Sequence, residues 1–357
     1  MKTVPTTPSH AIGLGTNIAL PIISQPQPDL DKLIDGFHRQ LTYLRLSVTD
    51  FCNFRCNYCL PNGYTANSGK RPDNELSLDE IATLIRGFAT LGTTKVRLTG
   101  GEPSIRHDLP QIIELAKQTQ GIKTVAVSSN GYRLAKHLTD WKTAGLDILN
   151  ISIDSFNPAV FKQITGFDIL PTLLKDIDKL LESTEIHLKL NGILKADTAF
   201  DNLQNALVYV KDRPVTYRFI EFMQTSDNSK LFFAEHASGK TIKNHLLENG
   251  WTATERAIDS GPATEFRHDD YVGKIGLIEP YAPQFCDSCN RLRVSSQGKI
   301  HLCLFDQQNY DIRQFLSNQD KDGLILALQN LMPIKPEHHF LDDSNSGMMA
   351  NLSMVGG

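Results

Sequence analysis

The sequence predicts an α/β protein, a partial (β/α)6 TIM-like barrel followed by a C-terminal region of different pattern. Three observations carry this. Short apolar runs alternate with helical patterns between Tyr43 and Glu221, and such alternation implies parallel strands with crossover helices. Six such units suit an open barrel better than a closed eight-stranded one, which takes about 250 residues. Polar, glycine-bearing or cysteine-bearing segments follow the strands, at the carboxyl ends where parallel barrels gather their sites.

In chain order, residues 1–40 carry Pro5, Pro8, Pro21, Pro26 and Pro28 without a sustained period and read as an extended arm. The barrel is expected over residues 41–223, with strands at Tyr43–Val48, Lys95–Thr99, Thr124–Ser128, Asp147–Ile153, Ile186–Asn191 and Val215–Glu221. The clearest helix is Ser77 to Leu91: Ser77 and Glu80 form a capping box, and Ile81, Leu84, Ile85 and Phe88 share one face. The pattern changes over residues 224–357. A helix is expected at Lys240–Glu248, short strands around Trp251–Arg256, Glu265–His268 and Lys274–Ile278, a hairpin at Gln297-Gly298, and a helix between Asp320 and Leu331.

Six strand ends then point into one mouth. Cys52–Cys59 follows the first strand, Gly100-Gly101-Glu102-Pro103 the second and Ser128-Ser129-Asn130-Gly131 the third. Ser152 and Asp154 end the fourth, Lys189 and Asn191 the fifth, and Glu221 and Met223 follow the sixth.

The 357 residues are 40% hydrophobic and 21% charged, which suits a sizeable core. A net charge of −4 argues against a general nucleic-acid or membrane-surface binder. No stretch approaches the ~20 apolar residues of a membrane span. The partly apolar run from Ala11 to Ile23 is broken by Gly13, Gly15, Asn17 and Pro21, so no signal peptide is expected. The protein reads as cytoplasmic, with its thiols reduced, and both a monomer and a homodimer fit.

The six cysteines fall into two triads, Cys52, Cys56, Cys59 and Cys286, Cys289, Cys303. Three close thiolates suit an iron–sulfur cluster with one open iron. A zinc site or unrelated thiols are the alternatives for the first triad. The second triad reads as either zinc or a cluster, and His301 can be a fourth zinc ligand there because it shares a strand face with Cys303. Arg291 and Arg293 share a strand face and offer bidentate donors for phosphate, or form an ordinary surface pair. Arg45, Arg97 and Lys189 lie inside expected barrel strands, where an unpartnered charge is costly. Five cations in one mouth suggest that it receives an anion.

The Cys52–Cys59 spacing, with aromatic Tyr58 before the last cysteine, resembles the signature of the radical S-adenosylmethionine enzymes. Together with Gly-Gly-Glu-Pro, the segment Cys289-Asn290-Arg291-Leu292-Arg293, Cys303 and the terminal Gly356-Gly357, it closely resembles the GTP 3′,8-cyclases of molybdopterin biosynthesis, over about residues 36–357. The resemblance implies two [4Fe–4S] clusters, at Cys52, Cys56 and Cys59 and at Cys286, Cys289 and Cys303. It implies S-adenosylmethionine at Tyr58, Gly101, Ser152 and Met223. It implies GTP at Arg45, Arg97, Ser128, Lys189, Arg291, Leu292 and Arg293, with Gly356 and Gly357 needed for the reaction. In that family a 5′-deoxyadenosyl radical removes the ribose 3′ hydrogen of GTP. The carbon radical then adds to C8, giving (8S)-3′,8-cyclo-7,8-dihydroguanosine 5′-triphosphate. The open iron of the second cluster binds the guanine, and a downstream cyclic pyranopterin monophosphate synthase takes the product.

Departures from the family pattern are small: Ser128 replaces the usual threonine, Val355 precedes the final glycines where isoleucine is common, and the arm is long. Two other readings remain. One is a peptide-modifying radical S-adenosylmethionine enzyme, which would often carry more C-terminal cysteines. The other is a non-enzymatic metal-binding scaffold.

Overall fold

The structure, a computed structural model, describes residues 17–18, 31–60, 74–183, 185–225, 228–255, 260–306, 308–339 and 341. The arm before residue 31, apart from 17–18, and the tail with Gly356 and Gly357 lie outside the described residues.

The apolar runs form strands of one 13-stranded sheet. In chain order these are β1 (Asn17–Ile18), β2 (Tyr43–Thr49), β3 (Lys95–Gly100), β4 (Thr124–Ser129), β5 (Ile148–Ser152), β6 (His187–Leu194) and β7 (Thr216–Glu221), then β8 (Thr252–Ala253), β9 (Thr264–Arg267), β10 (Lys274–Ile278), β11 (Arg291–Val294), β12 (Lys299–His301) and β13 (Asn309–Asp311). Strands β2 to β7 pair in parallel in sequence order. The crossovers carry α1 (Leu78–Thr90), α2 (Leu109–Gln118), α3 (Leu134–Thr143), α4 (Pro158–Thr165), α5 (Leu170–Ser183) and α6 (Ala199–Lys211). Four helices follow: α7 (Ser229–Glu235), α8 (Gly239–Glu248), α9 (Arg313–Ser317) and α10 (Lys321–Leu331). These are the six β/α units expected.

Alternation along each strand divides the residues between two faces. Leu44, Leu46, Val48, Val96, Leu98, Val125, Val127, Leu149 and Ile151 join the apolar core. Their neighbours Arg45, Ser47, Arg97, Thr99, Ser128 and Ser152 turn to the other face, which is therefore polar. Helix α1 shows how the sequence sets this up. The Ser77 hydroxyl accepts from Glu80 N at 3.2 Å and the Glu80 carboxylate accepts from Ser77 N at 2.9 Å. Ile81, Leu84, Ile85 and Phe88 are fully buried.

The barrel sheet extends further than six strands. Strand β10 adds in parallel to β7, and β11 adds in parallel to β2. Both come from the segment after residue 224, so that segment supplies both flanks of the same sheet. Beyond them β9 and β12 pair antiparallel. The hairpin at Gln297-Gly298 joins β11 to β12, and Gly298 has a φ of 79°, the left-handed region that glycine reaches without strain. Among the described residues of the expected run Trp251–Arg256, Thr252–Ala253 is a strand, and Arg256 lies outside the described residues.

Candidate active site

The first cysteine triad is held by backbone that needs capping. The last carbonyls of α4 lack helical partners. Arg55 N donates to Thr165 O and Asn57 N to Ile164 O, both at 3.2 Å, so the cysteine loop caps the helix end. Phe54 stacks on Phe167 with centroids 4.5 Å apart. On the other side the glycines of the next loop cross the cysteine loop closely. Gly101 N donates to Thr49 O and Glu102 N to Phe51 O, both at 2.8 Å. A Cβ at Gly100 or Gly101 would collide with the carbonyls of Thr49 or Phe51.

Glu102 then ties three loops together. Its carboxylate accepts from Ser104 N (2.9 Å), the Ser129 hydroxyl (2.8 Å) and Asn130 N (2.6 Å). Asn130 donates to Asn53 Oδ1 in the cysteine loop at 2.9 Å. Burial raises the Glu102 pKa, and these hydrogen bonds oppose the rise. The Tyr58 hydroxyl donates to Asp154 Oδ2 at 2.9 Å, while Asp154 Oδ1 accepts from Ile193 N at 3.0 Å.

Both triads line one cavity of ≈ 270 Å³, together with Tyr58, Gly101, Ser128, Ser152 and Met223. All six cysteines are free thiols. Met223, Phe305 and Leu341 form a small apolar cluster against which Cys59 and Cys303 both pack. One cysteine of each triad thus borders the same small apolar cluster. Among the described residues, no three His, Cys, Asp or Glu side chains could hold a single metal ion. His301, considered above as a zinc ligand, lies opposite Arg293 in the β11–β12 pair. Burial and then Arg293 lower its pKa to about 4, so it is neutral at pH 7.

The cations are set by strand register. Arg293, Arg45 and Arg97 form one row across β11, β2 and β3, and Arg291, Tyr43 and Lys95 form the next. Arg45, Arg97, Arg291 and Arg293 line the cavity as expected. Leu292 does not: alternation turns it to the opposite face and its side chain is in the core, so only its backbone can serve a ligand. Lys189 does not line the cavity either. It pairs with Glu265 Oε1 of β9 at 2.8 Å.

The fifth cation is one that the sequence reading missed, Arg218 of β7. It lines the cavity and donates to Asn191 Oδ1 at 2.9 Å and Asn150 Oδ1 at 2.5 Å. The signal was available, since Arg218 is a charged residue inside a barrel strand like Arg45 and Arg97. Burial, then neighbouring Arg97, lowers its pKa to about 9. Burial and the other arginines lower those of Arg45 and Arg293 too, Arg293 to about 10. Burial would raise the Tyr43 phenol, but Arg97, Arg45, Lys95 and Arg291 outweigh it and bring it to about 8. Among the described residues, the one carboxylate lining the cavity is Asp154, which is engaged by Tyr58 and Ile193. Such a concentration of like charge calls for a polyanion.

Comparison with known proteins agrees with this geometry. The Radical SAM superfamily matches residues 46–183, and the family described as Molybdenum Cofactor Synthesis C matches residues 215–341. The GTP 3′,8-cyclase of Vibrio vulnificus (strain CMCP6) is 47% identical over 324 residues, 90% of this chain and 97% of that protein. The chain belongs to the GTP 3′,8-cyclase family. The cyclase of Haemophilus ducreyi is 45% identical over 95% of this chain and 99% of its own length. Among solved structures, Streptococcus suis SuiB bound to S-adenosylmethionine matches with a TM-score of 0.58 at 12% identity, covering 82% of this chain and 68% of that one. At that identity the likeness concerns the fold alone, a radical S-adenosylmethionine barrel. Among the described residues, no helix of this cyclase is long and apolar enough to cross a membrane.

Proposed function

We infer that this chain cyclises GTP to (8S)-3′,8-cyclo-7,8-dihydroguanosine 5′-triphosphate, the first step of molybdenum cofactor synthesis, by radical S-adenosylmethionine chemistry. The observation that carries the reading is the meeting of two open cysteine triads and five arginines in one cavity.

Each triad offers three free thiols, the donor set of a [4Fe–4S] cluster with one open iron. Cys52, Cys56 and Cys59 would hold one cluster, and Cys286, Cys289 and Cys303 a second. Bound at the first triad, such a cluster supplies the electron that cleaves S-adenosylmethionine to a 5′-deoxyadenosyl radical. Gly101, whose missing side chain lets the cysteine loop pass close against it, lines the cavity beside Tyr58, Ser152 and Met223, where the methionine end would bind. Arg45, Arg97, Arg291 and Arg293 bind the triphosphate, with Arg218 joining them. Their guanidiniums fix the nucleotide, and such positioning matters most when the reactive species is indiscriminate. Ser128 adds a hydroxyl, and Lys189 acts from behind through its pair with Glu265. The Met223–Phe305–Leu341 cluster gives the space between the triads an apolar border.

Gly356 and Gly357 act in cyclisation, so their deletion abolishes it and leaves the iron content intact. Residues 41–223 serve as the radical barrel and 224–357 as the second-cluster region. The enzyme works in the cytoplasm and passes its product to a cyclic pyranopterin monophosphate synthase.

The test is anaerobic: reconstituted protein, reductant, S-adenosylmethionine and GTP deuterated at ribose C3′. Deuterium appearing in 5′-deoxyadenosine supports the reading. Cleavage without transfer would point to another substrate, such as a peptide, and no cleavage by a fully iron-loaded protein would point to a scaffold.

A further inference from the structure

Arg39 precedes β2 and is remote in sequence from the second triad, yet its side chain is joined to it. Asp35, whose carboxylate is wholly enclosed, holds Arg39 Nε at 2.7 Å. The remaining guanidinium donors reach three main-chain carbonyls: Cys286 O at 3.0 Å, Pro336 O at 2.7 Å and Glu337 O at 2.6 Å. Lys335, also buried, donates to Leu302 O at 2.6 Å, one residue before Cys303. The short segment 335–337 is thereby fastened at one end to Cys286, through Arg39, and at the other to the approach to Cys303. Neither cation lines the cavity.

The two residues also place positive charge beside the second triad: the Arg39 guanidinium sits on the carbonyl of Cys286 itself, and the Lys335 ammonium on the carbonyl of the residue before Cys303.

We propose that Arg39 and Lys335 are positioning residues of the second triad, clamping its two halves at a fixed separation and raising the reduction potential of the iron–sulfur cluster bound there. The proposal rests on the reading of Cys286, Cys289 and Cys303 as a cluster site. Reduction adds negative charge to a cluster, and a nearby cation stabilises the reduced form. Residues that hold metal ligands in place typically account for about 10–100-fold in affinity.

The experiment uses the full chain carrying Cys52→Ser, Cys56→Ser and Cys59→Ser, so that bound iron reports the second triad alone. In this background Arg39→Met should weaken iron retention against a chelator by about 10–100-fold. Arg39→Lys, which keeps the charge but not the fork, should lie between. Lys335→Met should lower the midpoint potential in an EPR-monitored titration, and Lys335→Arg should restore it. A residue with only a general structural role would not give that charge-dependent pattern. An unchanged potential in Lys335→Met, or undiminished retention in both Arg39 variants, overturns the proposal. A background protein that takes up no iron overturns the cluster reading itself, and the proposal with it.

Discussion

The two cysteine triads line one cavity but keep opposite electrostatic company. At the first, burial raises the Cys52 thiol to about 12, with Glu102 adding to it, and raises Cys56 well above its ordinary value, with Asp154 adding. At the second, burial pushes Cys289 the same way, but Arg291, Lys335 and Arg39 outweigh it and bring it from 9.0 to about 6. Burial still raises Cys286 and Cys303, so the neighbouring cations overturn burial at Cys289 and only oppose it at its two partners. The acidic side suits a centre that must give up an electron, and the cationic side suits one that meets a nucleotide.

The largest effect that would break this comparison concerns division of labour. Cys56→Ala should abolish S-adenosylmethionine cleavage altogether. Cys303→Ala should still release 5′-deoxyadenosine but form no cyclised nucleotide, as read by chromatography. Equal loss in both variants would mean that the triads do not divide the work. Next come the arginines. Arg45→Ala and Arg218→Ala should each weaken GTP by about 10–150-fold, the worth of one or more charge-assisted hydrogen bonds of roughly 1.5–3 kcal/mol, while S-adenosylmethionine affinity stays within about twofold. Lys189→Ala, already paired with Glu265, should cost less than either in the same calorimetric titration.

A third test sharpens the contrast in the iron-free protein. At pH 7.5, Cys289 should be alkylated at least about tenfold faster than Cys52, because its thiolate fraction is far larger. The same depressed pKa has a stability consequence. Its contribution to the folded state is complete above pH 9, the ordinary thiol value, and is lost as pH falls towards about 6. Chemical denaturation of parent and Cys289→Ala proteins across that interval measures it. The effect most confined to stability is Glu102→Gln, which weakens the network to Ser104, Ser129 and Asn130 and should cost roughly 1–3 kcal/mol. The loss should appear in thermal unfolding and leave iron binding at the second triad unchanged.

Much of this was legible because it is local. The capping box at Ser77 and Glu80, the six alternating strands and the two cysteine spacings are written within a few residues each. Arg218 was legible by the rule that singled out Arg45 and Arg97, although its strand was read only for its apolar residues. Other features depend on pairing between distant segments, which local pattern does not encode. The parallel addition of β10 and β11 is one. The Glu265 partner that draws Lys189 away from the cavity is another. The role of Arg39 is a third, since its targets are backbone carbonyls near residues 286 and 336, which have no side-chain signature.

The pairing of β11 with β2 also bears on how the chain is made. The Ser296–Asp50 hydrogen bond beside this junction joins residues 246 positions apart. At a translation rate of about 5–20 residues per second, β2 must wait on the order of 12–50 seconds for its neighbour. Contacts of such sequence separation slow folding, because loop closure precedes any stabilisation they give. During that wait the first cysteine loop is already outside the ribosome, with one edge of its strand bare. The cavity is complete only once β11 has paired, and a nascent chain caught earlier exposes thiols to oxygen and a strand edge to aggregation.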